Sequence, residues 1–170
     1  MTMRAAMIGA CAAGLGLLVA GQGKALAADG AADARVARGK YLVTIGGCND
    51  CHTPGYPESG GTTPERDWLT GSPVGYQGPW GTTYASNLRM VIGSMNESEW
   101  MAHARKERLP PMPWFNLAKM TDQDLKAMYA YVRSLGSAGA AAPAYVAPGG
   151  KVTTPYIVFV PQMDAKQAKR

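Results

Sequence analysis

The sequence predicts a predominantly helical domain, and three observations lead to it. Leu125, Met128, Tyr129, Val132 and Leu135 fall on one stripe at helical spacing. Asn96 is followed three residues later by Glu99, the mark of a helix N-terminus. The one sheet-type run, "TPYIVFVPQ" at 154–162, lies beyond that stripe, at the end of the chain.

The elements follow in order. Residues 1–27 read as a secretory signal. A positive start, "MTMR", precedes a small-residue apolar run, and Ala25-Leu26-Ala27 has the A-x-A form of a cleavage site. The alternative is an uncleaved membrane anchor. Five glycines between Gly9 and Gly23 and the short length of the run argue against it. Residues 28–136 form the expected domain. Its first helix spans 33–47, with Asp33 as N-cap, an imperfect stripe of Val36, Tyr41, Leu42 and Ile45, and Gly46-Gly47 as the stop. Residues 53–93 hold eight glycines and little periodicity, and read as a long loop. The second helix starts at the Asn96 cap and runs to about Lys106, with Trp100 and Ala104 inward. The third is capped by Thr121, has Asp124 at its third position and stops at Gly136. Residues 137–170 form an extension, Ala/Pro/Gly-rich at first, then the short β-type run, then a charged tail.

Charge and cysteine count exclude several functions. Net charge is +5, and removing Arg4 and Lys24 with the signal leaves +3. So mild a balance lacks the concentrated basic footprint of a nucleic-acid binder, yet it permits docking to an acidic partner. The three cysteines are Cys11, Cys48 and Cys51, so cleavage leaves two. Those two sit in "GGCNDCHTPG". A C-x-x-C serves as a redox dithiol, as half of a zinc site, or as an attachment point for haem. His52, directly after Cys51, favours the third. On one helical turn the two sulfurs face the same way, about 4.5 Å apart along the axis. That spacing suits thioethers to the vinyl edge of a porphyrin, and export suits covalent haem attachment.

An iron held by His52 has a second axial face. His103, the one other histidine, reads as a partly exposed helix residue. Met120 precedes the Thr121 cap with Leu125 five residues on, the pairing of a hydrophobic staple. Met128 belongs to the core stripe, and packing accounts for Met90, Met95 and Met101. Met112 differs. It lies in "LPPMPW", where Pro110, Pro111 and Pro113 exclude helix and sheet interior and leave a stiff loop presenting one thioether.

With these motifs placed, the chain resembles the class I cytochrome c family, and more narrowly the monohaem cytochrome c domains associated with bacterial periplasmic dehydrogenases. The matching stretches are "RGKYLVTIGGCNDCHT", "LTGSPV…WGTTYASNL" and "PPMPWFNLAKMTDQDLKAMYAYVRSL", covering about 38–136. The resemblance implies an all-α fold of about three main helices around one covalent haem c, the first and last helices crossing. It implies Cys48 and Cys51 as thioether sites, His52 and Met112 as axial ligands, and Asn87 near the haem. It leaves residues 137–170 without a role; they could wrap the domain, add a strand or dock a partner.

The expected function is one-electron transfer in the periplasm, as a free shuttle or as a subunit of a dehydrogenase or oxidase chain. The redox partner would present an acidic surface, which the run Arg105-Lys106-Glu107-Arg108 could steer. No nucleic acid is expected, and a membrane only if the signal stays uncleaved. The competing function is a haem enzyme or gas sensor with an open or displaceable sixth position and His103 as acid–base group.

Overall fold

The structure, a computed structural model, describes residues 16–161, with side chains from residue 30 onward. Of the expected signal, residues 1–15 lie outside the described residues. Two compact units divide between Ala34 and Arg35. Of the first, the described part is helical and belongs to α1 (Gly16–Ile45). No helix among the described residues is long and apolar enough to cross a membrane.

The first helix starts earlier than its sequence pattern suggests. Asp33 lies inside α1 instead of capping it. The stretch "ALAADGAADA" before Arg35 is alanine-rich and free of proline, and alanine has the highest intrinsic helix propensity. The stop is where it was expected. Gly46 N–H bonds the Leu42 carbonyl at 2.8 Å, and Gly47 takes φ +67°, a conformation that favours glycine.

Helices α4 (Glu97–Ala104) and α6 (Asp122–Ser134) match their signals. In α4 the Asn96 side chain accepts from Glu99 N–H at 2.9 Å and the Glu99 carboxylate accepts from Asn96 N–H at 2.8 Å, a complete capping box. In α6 the Thr121 hydroxyl accepts from Asp124 N–H at 3.1 Å. Leu125, Met128 and Val132 point into the core together with Trp100, Ala104, Leu42, Val43, Leu69 and Ile92. Each fully buried aliphatic or aromatic side chain there contributes about 1.5–3 kcal/mol. The stripe omitted Tyr131, which is buried and donates its hydroxyl to Glu65 Oε1 at 2.9 Å. Trp100, equally buried, donates its indole N–H to the Leu125 carbonyl at 2.8 Å, so neither polar tip is stranded.

The first and last helices cross at Gly39. A Cβ there would stand 2.1 Å from the Ala127 carbonyl oxygen and 2.6 Å from Tyr131 Cβ. The backbones can approach this closely because residue 39 has no side chain.

The fold is not purely helical, which corrects the all-α expectation. Among the described residues, six α-helices and a short 3-10 helix are joined by a three-stranded sheet. β1 (Gly75–Gly78) pairs antiparallel with β2 (Gly81–Tyr84), and β3 (Tyr156–Val158) pairs parallel with the other edge of β1. Strands of four residues are too short to show alternation, and three of their positions are glycines that look like loop. Packing demands all three: a Cβ on Gly75 would lie 2.5 Å from Thr82 Cγ2, one on Gly78 2.5 Å from the Trp80 ring, and one on Gly81 2.3 Å from the Val146 carbonyl oxygen. The short helices α2 (Cys48–His52), α3 (Leu88–Gly93) and α5 (Trp114–Lys119) likewise occupy stretches with too few turns for a periodic signal.

The extension wraps this unit and adds a strand. Asn87 Nδ2 donates to the Ala138 and Ala140 carbonyls at 2.8 and 3.1 Å. Val146 and Thr82 exchange backbone hydrogen bonds of 3.0 and 2.8 Å along β2, and the chain then reaches β3.

Candidate functional site

Cys48 and Cys51 open and nearly close α2, the single helical turn expected from their spacing. Both thiols are free and half-buried. Burial first, then the negative charge of Asp50, push the Cys48 thiol up to about 11, so it is protonated at neutral pH. Between them Asn49 is buried. Its Oδ1 accepts from Thr53 Oγ1 at 2.7 Å, while its Nδ2 finds no partner among the described residues.

His52 ends α2 and is buried. Its Nδ1 lies 2.7 Å from the Ser86 carbonyl oxygen. A carbonyl only accepts, so Nδ1 carries the hydrogen. Burial lowers the pKa of the ring, against a smaller opposing effect of that hydrogen bond. The imidazole is therefore neutral, with its lone pair on Nε2. A second hydrogen-bonding partner that fixes tautomer and ring plane is how proteins prepare a histidine for a metal.

Ser86 is held in turn. Its neighbour Asn87 is buried and caps α3, its Oδ1 accepting from Met90 N–H at 3.1 Å. Both hydrogens of its amide are committed to the extension. Asn87 therefore bears on His52 through the adjacent residue in the chain. Leu69 and Gly71 close the other side: Leu88 N–H bonds the Leu69 carbonyl at 2.9 Å, and Gly71 N–H bonds the His52 carbonyl at 2.8 Å.

Met112 is half-buried on the Pro110–Pro113 loop, where Pro110-Pro111 is a cis peptide. Trp114 N–H bonds the Met112 carbonyl at 2.8 Å, and Thr83 Oγ1 of β2 donates to the Pro110 carbonyl at 2.8 Å. Met120 is placed differently. It caps the end of α5 and packs on the core that contains Leu125. His103 sits on α4 with its ring tilted against Trp100 at 6.2 Å. Burial first, then the charges of Arg108 and Lys106, lower its pKa. In the basic run, Arg105 is held by the Ala118 carbonyl and Asp122, and Arg108 by the His103 carbonyl. Lys106 is exposed.

These residues fit a covalently held haem. Two uncrosslinked thiols share one turn, the adjoining histidine is neutral with Nε2 available, and a proline-stiffened loop carries a thioether. A zinc site fits poorly, because no group of three or more His, Cys, Asp or Glu converges among the described residues. The profile of the family described as cytochrome c matches residues 36–136. The chain belongs to the cytochrome c family.

As a cytochrome c it binds haem c covalently and serves as an electron carrier. Two curated relatives are similar to it. The alcohol dehydrogenase (quinone), cytochrome c subunit, of Gluconobacter oxydans (strain 621H) is 30% identical over 133 residues, 71% of this chain and 25% of the relative. The gluconate 2-dehydrogenase cytochrome c subunit of Pantoea cypripedii is 32% identical over 120 residues, 63% of this chain and 24% of the relative. This cytochrome c thus spans about a quarter of the length of either. No solved structure matches it significantly.

Three contributors to the site escape sequence reasoning. Ser86 acts through its carbonyl, which every residue possesses, so its identity carries no signal. Tyr76 of β1 interacts with the Cys51 sulfur, an effect that follows burial in raising the pKa of the phenol. Arg89 is buried and donates to the Gly136, Leu135 and Arg66 carbonyls, tying α3 to the end of α6. A buried arginine at a helix C-terminus is favoured by the helix dipole, but nothing in its sequence context marks it.

Proposed function

We propose that this cytochrome c carries one electron at a time in the periplasm on a haem fixed by Cys48 and Cys51 and ligated by His52 and Met112. The hydrogen bond from His52 Nδ1 to the Ser86 carbonyl carries the reading. It leaves Nε2 as the free base and fixes the ring plane. When bound, haem supplies a reversible one-electron iron couple, and a soft thioether on its second face favours the reduced state.

The chain's own residues do the rest. The Cys48–Cys51 turn anchors the group and sets its edge. His52 stays neutral because it is buried, and the Ser86 carbonyl keeps its one ring hydrogen on Nδ1. Prolines 110, 111 and 113 hold the Met112 backbone in one conformation, so the sulfur moves little between oxidation states. With His52 and Met112 both holding the iron, the group would have no free position for a substrate.

Residues 1–27 are the export signal in this reading, 28–136 the electron-carrying domain and 137–170 an extension. The two relatives' names make a dehydrogenase the favoured redox partner, with this chain as a shuttle or a subunit. Exposed Lys106 is the cation of the basic run best placed to meet an acidic partner surface. Purifying the tagged, haem-loaded protein from its native cell envelope tests the partner. A co-purifying dehydrogenase whose substrate reduces the haem supports it, and a dehydrogenase that leaves the haem oxidised contradicts it.

A further inference from the structure

The β-type run, described from 154 to 161, keeps its apolar side chains largely in water. Tyr156, Ile157, Val158, Phe159 and Val160 all stay between 42 and 55% exposed. Burial of their own side chains is therefore not the main result of folding this segment onto the domain. Its backbone does more. Gly75 N–H bonds the Pro155 carbonyl at 2.9 Å, and Phe159 N–H bonds the Gln77 carbonyl at 2.7 Å. Together with Val146 on β2, the extension covers both edges of the β1–β2 hairpin. Tyr145 adds a hydrogen bond from its hydroxyl to the Trp80 carbonyl at 2.7 Å, beside the turn. An isolated hairpin of two four-residue strands is marginal in water; flanked on both edges it is braced.

That hairpin meets both the attachment turn and the methionine loop. The Phe159 ring meets Tyr76 edge-on, with centroids 5.7 Å apart, and Tyr76 is the β1 residue next to Cys51. On β2, Thr83 Oγ1 holds the Pro110 carbonyl at 2.8 Å and also lies 3.4 Å from the Tyr76 carbonyl. One small sheet thus connects the attachment turn, the methionine loop and the C-terminal extension.

We propose that the extension is a positioning element of the haem site. Through Phe159 it seats Tyr76 against the Cys51 side, and through the braced hairpin it lets Thr83 hold the Met112 loop in place. The inference rests on the ligation of Met112 argued above and adds a role for residues 137–161. Phe159 acts through Tyr76 and Thr83 through Pro110, as positioning residues.

The experiment uses full-length, haem-loaded protein and three variants: Phe159→Ala, Phe159→Tyr and Thr83→Val. Cyanide binding to the ferric protein reports how readily the methionine leaves, and the redox potential reports its hold on the iron. Thr83→Val should speed cyanide association about fivefold, the factor one lost hydrogen bond gives. Phe159→Ala should act in the same direction and lower the potential, and Phe159→Tyr should restore both. Glu65→Gln, which weakens a pairing elsewhere in the domain, is the control for stability alone and should leave the cyanide rate unchanged. Truncation after Gly150 should give the largest rate increase with one covalent haem retained. If the truncated chain fails to fold, the point variants decide. Unchanged cyanide rates and potentials in Phe159→Ala and Thr83→Val overturn the inference. A wild-type protein that binds cyanide as fast as an open ferric haem overturns the Met112 reading instead, so the two failures are distinct.

Discussion

His52 donates its Nδ1 hydrogen to the Ser86 carbonyl across 2.7 Å. That bond joins the attachment turn to the segment entering α3, and Asn87, one residue on, locks the segment in place. Asn87→Ala should remove the α3 cap and both bonds to the extension at once. The expected loss is about 3 kcal/mol, roughly one per interaction. Chemical denaturation checks it, and a loss of only a few tenths would show that the segment is held by other means.

Covalent attachment makes a sharp demand on mass. The purified protein should retain one haem after acid–acetone extraction. Cys48→Ala/Cys51→Ala should release it completely, since His52 alone makes no covalent bond. Intact-protein mass spectrometry distinguishes the cases, and a wild-type mass equal to the bare polypeptide would contradict attachment.

Gly39 sets how closely α1 and α6 approach. A methyl at residue 39 would meet backbone, the Ala127 carbonyl, which cannot swing away as a side chain could. Gly39→Ala should therefore cost about 3 kcal/mol, despite alanine's better helix propensity. A neutral or stabilising effect in thermal denaturation would mean the helices can separate freely.

How legible this was depended on the length scale of each signal. The α4 capping box, the α6 stripe and the Cys-x-x-Cys-His turn are local patterns that involve consecutive side chains, and each stands where its residues predict. The sheet was legible only in its third strand, since β3 lies inside the sheet-type run at 154–162; β1 and β2 were not, because they are short and glycine-bearing. Ser86 was invisible because it contributes only backbone. Tyr131 was missed because its hydroxyl needs a partner if the ring is to be buried, and that partner, Glu65, lies 66 residues away in the chain. The start of α1 was misjudged because Asp33 has the chemistry of a cap, yet the alanine-rich segment before it continues the helix.

Glu65 gives the fold an acid limit. Hydrogen bonding from Lys40 first, and then from Tyr131, holds its carboxyl below the ordinary value of 4.5. A carboxyl whose pKa is lowered by folding stabilises the folded state when ionised. That contribution is full above about 4.5 and disappears as pH falls through the lower folded value. Glu65→Gln should flatten the acid limb of the stability–pH curve by lowering stability at neutral pH, with the difference from wild type vanishing in acid. Denaturation midpoints measured from pH 3 to 7 check this, and an unchanged acid limb would place the titrating group elsewhere.

The central claim is that Met112, and not Met120, completes the iron's coordination. Met112 has three neighbouring prolines and a loop pinned by Thr83, whereas Met120 packs on the core at the end of α5. The direct measurement is the visible spectrum of the ferric protein, read for the weak red band of sulfur-ligated haem, in Met112→Ala and Met120→Ala. The account predicts that Met112→Ala keeps covalent haem, loses the band, lowers the potential and binds cyanide or carbon monoxide readily. Met120→Ala should keep the band and lose about 1 kcal/mol of stability. The opposite pattern, or a band untouched by either substitution, would contradict it.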